Sequence, residues 1–154
     1  ALEYAARSER FIGLPVFVIA QSLGGALAIP AIAAAPGKVK AAVLESTFDS
    51  YRRIARRKLA ESWLTWPVQY PASFLVSDAY SPVDSIGQLA IPLLFLHGDA
   101  DPTVPYDLGR GLYAAAVSQK EFVDIPGGGH TPAFEDATDI YRKRVLEFFA
   151  RHSK

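Results

Sequence analysis

The chain has 154 residues, half of them apolar, and its 16 basic and 16 acidic residues cancel to a formal net charge of zero. That length suits one domain with a real hydrophobic core, and the balanced charge excludes partners recognised by bulk charge, nucleic acid among them. Cysteine is absent, which excludes disulfides, thiolate metal sites and cysteine nucleophiles, and no residue pattern calls for a metal or a cofactor.

Methionine is absent as well, and the chain opens on Ala1-Leu2-Glu3-Tyr4-Ala5-Ala6-Arg7 with no cap or signal peptide before it. The expectation is a fragment or a processed product. A helix-like mix over residues 2–11 is stopped by Gly13 and Pro15. Val16 to Ala20 read as a buried strand and Leu23 to Ala35 as a helix, with Pro30 inside it and Pro36-Gly37 closing it. Proline in a helix interior costs about 3 kcal/mol unless the helix kinks. Val39 to Leu44 form a second strand, ending at Glu45-Ser46-Thr47-Phe48.

From Asp49 to about Ala90 the pattern becomes irregular. Arg52, Arg53, Arg56, Arg57 and Lys58 lie on an expected helix, followed by Trp63, Trp66, Tyr70 and Phe74 with prolines between them. Ile91 to Leu96 form a third strand, Asp107 to Val117 a helix, and Glu121 to Ile125 a fourth strand. The last helix falls within Pro132 to Arg151, with Ile140, Val145, Leu146 and Phe149 expected on one face. Strands that are mostly unbroken apolar runs, alternating with helices, imply an α/β fold with a mostly parallel sheet covered on both faces. Ligand sites in such sheets gather at the carboxyl ends of the strands.

Three of those ends carry chemistry. The first leads into Ala20-Gln21-Ser22-Leu23-Gly24-Gly25, the small-x-Ser-x-Gly arrangement of a nucleophile elbow. Locally the same residues suit an N-capping serine equally well. The third leads into Leu96-His97-Gly98-Asp99-Ala100-Asp101-Pro102-Thr103-Val104-Pro105, and the fourth into Pro126-Gly127-Gly128-Gly129-His130. Serine, carboxylate and histidine thus appear in that order along one sheet edge.

Here the chain resembles the α/β-hydrolase family, whose triad order is serine, acid, histidine. The resemblance places Ser22 on the nucleophile, Asp101 on the acid and His130 on the base, with the Leu23 backbone N–H as one oxyanion donor. It implies an acyl-enzyme hydrolase of esters, thioesters or small peptide or amide bonds, with a small-molecule acyl substrate as partner. The blocks Glu45-Ser46-Thr47-Phe48 and Ala79-Tyr80-Ser81-Pro82-Val83-Asp84 are similar to the peptidase-like and Bem46-like branch. The alternative is a non-catalytic relative that binds a small apolar ligand or a protein partner.

The resemblance also implies that N-terminal strands and a second oxyanion donor are missing from residues 1–154. The missing half, or another chain, would complete the sheet, and the chain alone would be weakly active. The stretch 49–90 sits where the family inserts a cap. Its aromatics are expected either to line an acyl pocket or to pack the cap down, and its arginines to form a solvated face. Among competitors, Glu45 could orient a histidine from the second strand, and Asp99 is expected to cap its own turn. His97 is expected to bond within its loop and His152 to be solvated. The glycines before His130 are expected to let its loop swing over Ser22.

Overall fold

The structure, a computed structural model, describes Tyr4, residues 13–135 and residues 139–153. The helix expected over 2–11 lies outside the described residues, apart from Tyr4, which is helical and exposed. Four strands, β1 (Phe17–Gln21), β2 (Ala41–Glu45), β3 (Leu93–Gly98) and β4 (Lys120–Ile125), form one parallel sheet in the order β1-β2-β3-β4. Between and after them come α1 (Leu23–Ala33), α2 (Tyr51–Ala60), α3 (Gln69–Ser73), α4 (Pro82–Ile86), α5 (Tyr106–Ala115) and α6 (Ile140–Arg151).

The period of two along β2 explains how both sheet faces are buried. Ala42 and Leu44 point to one side, into a core with Ile29 and Ile32 of α1, Ile86 of α4 and Leu112 of α5. Ala41 and Val43 point to the other, against Val145 and Phe148 of α6. Every residue of β2 and β3 is buried, which is why both read as apolar runs rather than alternating ones. Among the described residues β1 pairs on one side only, with β2, and Ile19 is left half exposed.

One local expectation holds and one is corrected. Pro30 lies inside α1 as expected, and the helix runs on to Ala33 before Gly37, at φ +75°, reverses the chain. Buried Ile29 and Ile32 flank the proline, so packing holds the turn that proline weakens. On α6, Ile140 and Leu146 face solvent, and the buried stripe is Val145 and Phe148, with Tyr141 and Phe149 partly covered.

In the 49–90 stretch, α2 is capped by Ser50, whose Oγ accepts the Arg53 N–H at 3.0 Å. Its arginines are engaged rather than simply solvated. Arg53 pairs with Asp49 and Arg57 with Asp107, while Arg52 and Arg56 lie over the rings of Phe74 and Tyr70. Trp63, Trp66, Tyr70 and Phe74 are all largely exposed, so they neither line a closed pocket nor pack this stretch onto the sheet.

Candidate active site

Ser22 occupies the one-residue turn between β1 and α1 at φ 50°, ψ −125°, a conformation non-glycine residues rarely adopt. Neighbouring contacts hold it there. Its N–H donates to the Glu45 carbonyl at 2.8 Å, and α1 starts at the next residue. Gly25 lies so close to Thr47 that a Cβ would overlap the threonine side chain. The Ser22 hydroxyl makes no capping hydrogen bond. It lies instead 3.0 Å from His130 Nε2, so the N-cap alternative does not describe it.

Asp101 is buried at the end of the loop following β3. Its Oδ1 accepts the N–H groups of Thr103 and Val104 at 2.8 and 2.9 Å, and its Oδ2 lies 2.9 Å from His130 Nδ1. A carboxylate only accepts, so this contact places the imidazole proton on Nδ1 and leaves Nε2 to accept from Ser22. The structure therefore brings Ser22, His130 and Asp101 into one hydrogen-bonded line. The Leu23 N–H stands at the first position of α1, where it has no intrahelical acceptor.

The other candidates separate clearly. Glu45 is fully buried and does not approach His130; its Oε1 accepts the Ala133 N–H at 2.6 Å and its Oε2 the Gln21 side-chain amide at 2.7 Å. Asp99 accepts the Gly127 N–H at 2.7 Å, joining the acid and histidine loops instead of capping its own turn. His97 donates from Nε2 to the Val104 carbonyl at 3.0 Å, within its own loop. His152 is only partly exposed, because its ring packs edge-on against Phe148. A Cβ on Gly98 would strike the carbonyls of Gly128 and Gly129, so these residues let two loops touch.

Sequence reading missed the bracket that joins these parts. Ser46, itself at φ 48°, accepts the Thr131 N–H on Oγ at 3.2 Å, and Thr47 Oγ1 donates to the Glu45 carbonyl at 3.2 Å. Gln21 fills the variable position of the elbow, so no motif marks it. Among the described residues no group of three or more His, Asp or Glu side chains is placed to hold a metal ion.

A model of the prolyl oligopeptidase family matches residues 2–154. The chain belongs to that family, within the α/β-hydrolase superfamily. It is 34% identical over 131 residues to YfhR, an uncharacterised protein of Escherichia coli (strain K12), covering 83% of this chain and 43% of YfhR. It is 30% identical over 148 residues to the α/β-hydrolase domain-containing protein WAV2 of Arabidopsis thaliana, covering 90% of this chain and 47% of WAV2. The chain thus spans under half the length of either relative. Among solved structures, acetyl xylan esterase 1 from Thermoanaerobacterium superposes with a TM-score of 0.73 at 18% identity, covering 99% of this chain and 50% of the esterase. At that identity the likeness concerns the fold alone.

Proposed function

We propose that this chain carries the reacting centre of a serine hydrolase that cleaves an ester, thioester or small amide bond through an acyl-enzyme. The carrying observation is the line Ser22 Oγ, His130 Nε2, His130 Nδ1, Asp101 Oδ2, with contacts of 3.0 and 2.9 Å. A serine hydroxyl is a weak nucleophile at neutral pH. In this reading His130 takes the Ser22 proton as Oγ attacks the acyl carbon, then returns it to the leaving group. Asp101 holds the tautomer and stabilises the imidazolium. The Leu23 N–H receives the negative charge that develops on the acyl oxygen, an interaction worth about 3–4 kcal/mol in comparable sites. Water then attacks the Ser22 ester, with His130 again as base, and releases the acid.

The test is a fluorophosphonate probe applied to the full-length protein. Covalent labelling at Ser22, lost in Ser22→Ala, is the expected result. Labelling that persists in Ser22→Ala, or no labelling of the folded protein, overturns the reading.

A further inference from the structure

A wide-open groove of about 420 Å³ starts at Leu23, the residue after Ser22, and is lined further by Leu27, Tyr51, Val76, Ser77, Ala79 and Tyr80. Leu23 and Leu27 stand one turn apart on the same face of α1, and they are 53% and 58% exposed; Tyr80 is 79% exposed. Apolar side chains clustered in the open beside a reacting group are where a ligand is expected to sit. No charged side chain lines the groove.

The far wall is held in place before any ligand arrives. Residues 76–80 have no helix or strand to fix them, yet the Asp78 carboxylate accepts hydrogen bonds from Ser50 Oγ at 2.8 Å, the Arg52 N–H at 3.0 Å and the Ser81 hydroxyl. Tyr80 sits at φ +65°, the left-handed region, a conformation a bulky residue keeps only when its surroundings impose it.

The chemistry of Ser22 decides which part of a substrate fits here. The leaving group departs past His130, which must protonate it. No residue of the histidine loop lines the groove, whereas Leu23, whose N–H faces the acyl oxygen in the proposed mechanism, does. The part that stays on Ser22 is the acyl group. Resting on the proposed hydrolase reading, we infer that the groove holds an uncharged, linear acyl chain. The substrate class is then an ester or thioester of a fatty acid, rather than an acetyl ester or a polar peptide.

The experiment measures kcat/KM of the full-length protein on p-nitrophenyl acetate, butyrate, octanoate and dodecanoate. Each methylene that enters apolar cover contributes roughly two- to fourfold, so octanoate is expected to exceed acetate by on the order of 100-fold. Leu27→Gln should cut the octanoate-to-acetate ratio by about tenfold. Ala79→Phe, which sets a bulky ring on the exposed wall of the groove, should move the optimum towards butyrate. A ratio near one, a ratio unmoved by both folded variants, or a preference that instead follows the alcohol chain of acetate esters overturns the inference. If Ser22→Ala hydrolyses every ester at the parent rate, the hydrolase reading fails. If hydrolysis requires Ser22 yet ignores chain length, only the groove assignment fails.

Discussion

The Glu45 carboxylate accepts the backbone N–H of Ala133 at 2.6 Å, and so ties the end of β2 to the chain three residues beyond His130. Its other oxygen holds Gln21, the residue before Ser22, and its carbonyl takes the Ser22 N–H. One buried residue thereby bonds to both the serine turn and the chain after His130. Glu45→Gln can keep both bonds, because the Gln21 amide can turn over and present its oxygen. Glu45→Ala loses both and leaves a buried N–H unpaired, a loss of about 1–3 kcal/mol. The expectation is near-parent kcat in Glu45→Gln and a kcat at least about tenfold lower, at similar KM, in Glu45→Ala. Equal kcat in both would show that the bracket does not position His130.

Asp101→Asn should leave the fold intact and abolish most activity. An asparagine oxygen still accepts the Thr103 and Val104 N–H groups, so the loop stays closed. Its amide then faces His130 Nδ1 and donates to it, which moves the imidazole proton to Nε2. That tautomer has no lone pair for the Ser22 proton. In comparable relays the loss in kcat is about 10⁴-fold. Circular dichroism and thermal melting should match the parent while ester hydrolysis falls.

How much of this was legible in the chain differs by element. The four strands, and the loops that bring Ser22, Asp101 and His130 to one sheet edge, could be read because β2 and β3 are buried on both faces, and because the α/β-hydrolase resemblance fixes which loop follows which strand. The buried face of α6 could not be read. Leu146 is as apolar as Phe148, and only the position of the sheet decides which one is covered. The Glu45 bracket was invisible for another reason: a glutamate closing a strand gives no hint that its partners lie at positions 21 and 133. The aromatic residues after α2 misled because clustering in sequence says nothing of exposure, and Trp63 is 87% exposed.

Two glycines test whether close approach, rather than flexibility, is what the loops require. At Gly25 the obstacle to a Cβ is the Thr47 side chain, which a second substitution can shorten; at Gly98 it is the backbone carbonyls of Gly128 and Gly129, which nothing short of a loop shift can move. Gly25→Ala should destabilise by about 1–3 kcal/mol, the range for overpacking, and Thr47→Ala should restore part of that loss. Gly98→Ala should cost more and have no single-residue remedy, while also separating Asp101 from His130. Denaturant melts of the parent, the three single variants and the double variant at positions 25 and 47, read as a double-mutant cycle for that pair, check both statements. Equal and additive costs at the two sites would indicate that the glycines serve chain flexibility instead.

Asp78 links stability to pH in a predictable direction. Burial works against its charge, but hydrogen bonds from Ser81, the Arg52 N–H and Ser50, with the nearby Arg52 guanidinium, hold its carboxyl below the ordinary aspartate value. A carboxyl whose pKa is depressed in the folded state stabilises the fold above its unfolded pKa, near 3.9, and that contribution fades as the pH falls through the lower folded value. The melting temperature of Asp78→Asn should therefore lie below the parent's at neutral pH, and the gap should narrow as the pH drops below about 4. The same substitution loosens the wall carrying Val76, Ala79 and Tyr80, so octanoate hydrolysis at neutral pH should weaken more than acetate hydrolysis. A gap in melting temperature that is constant from neutral to acid pH would mean that the charge on Asp78 does not stabilise this wall.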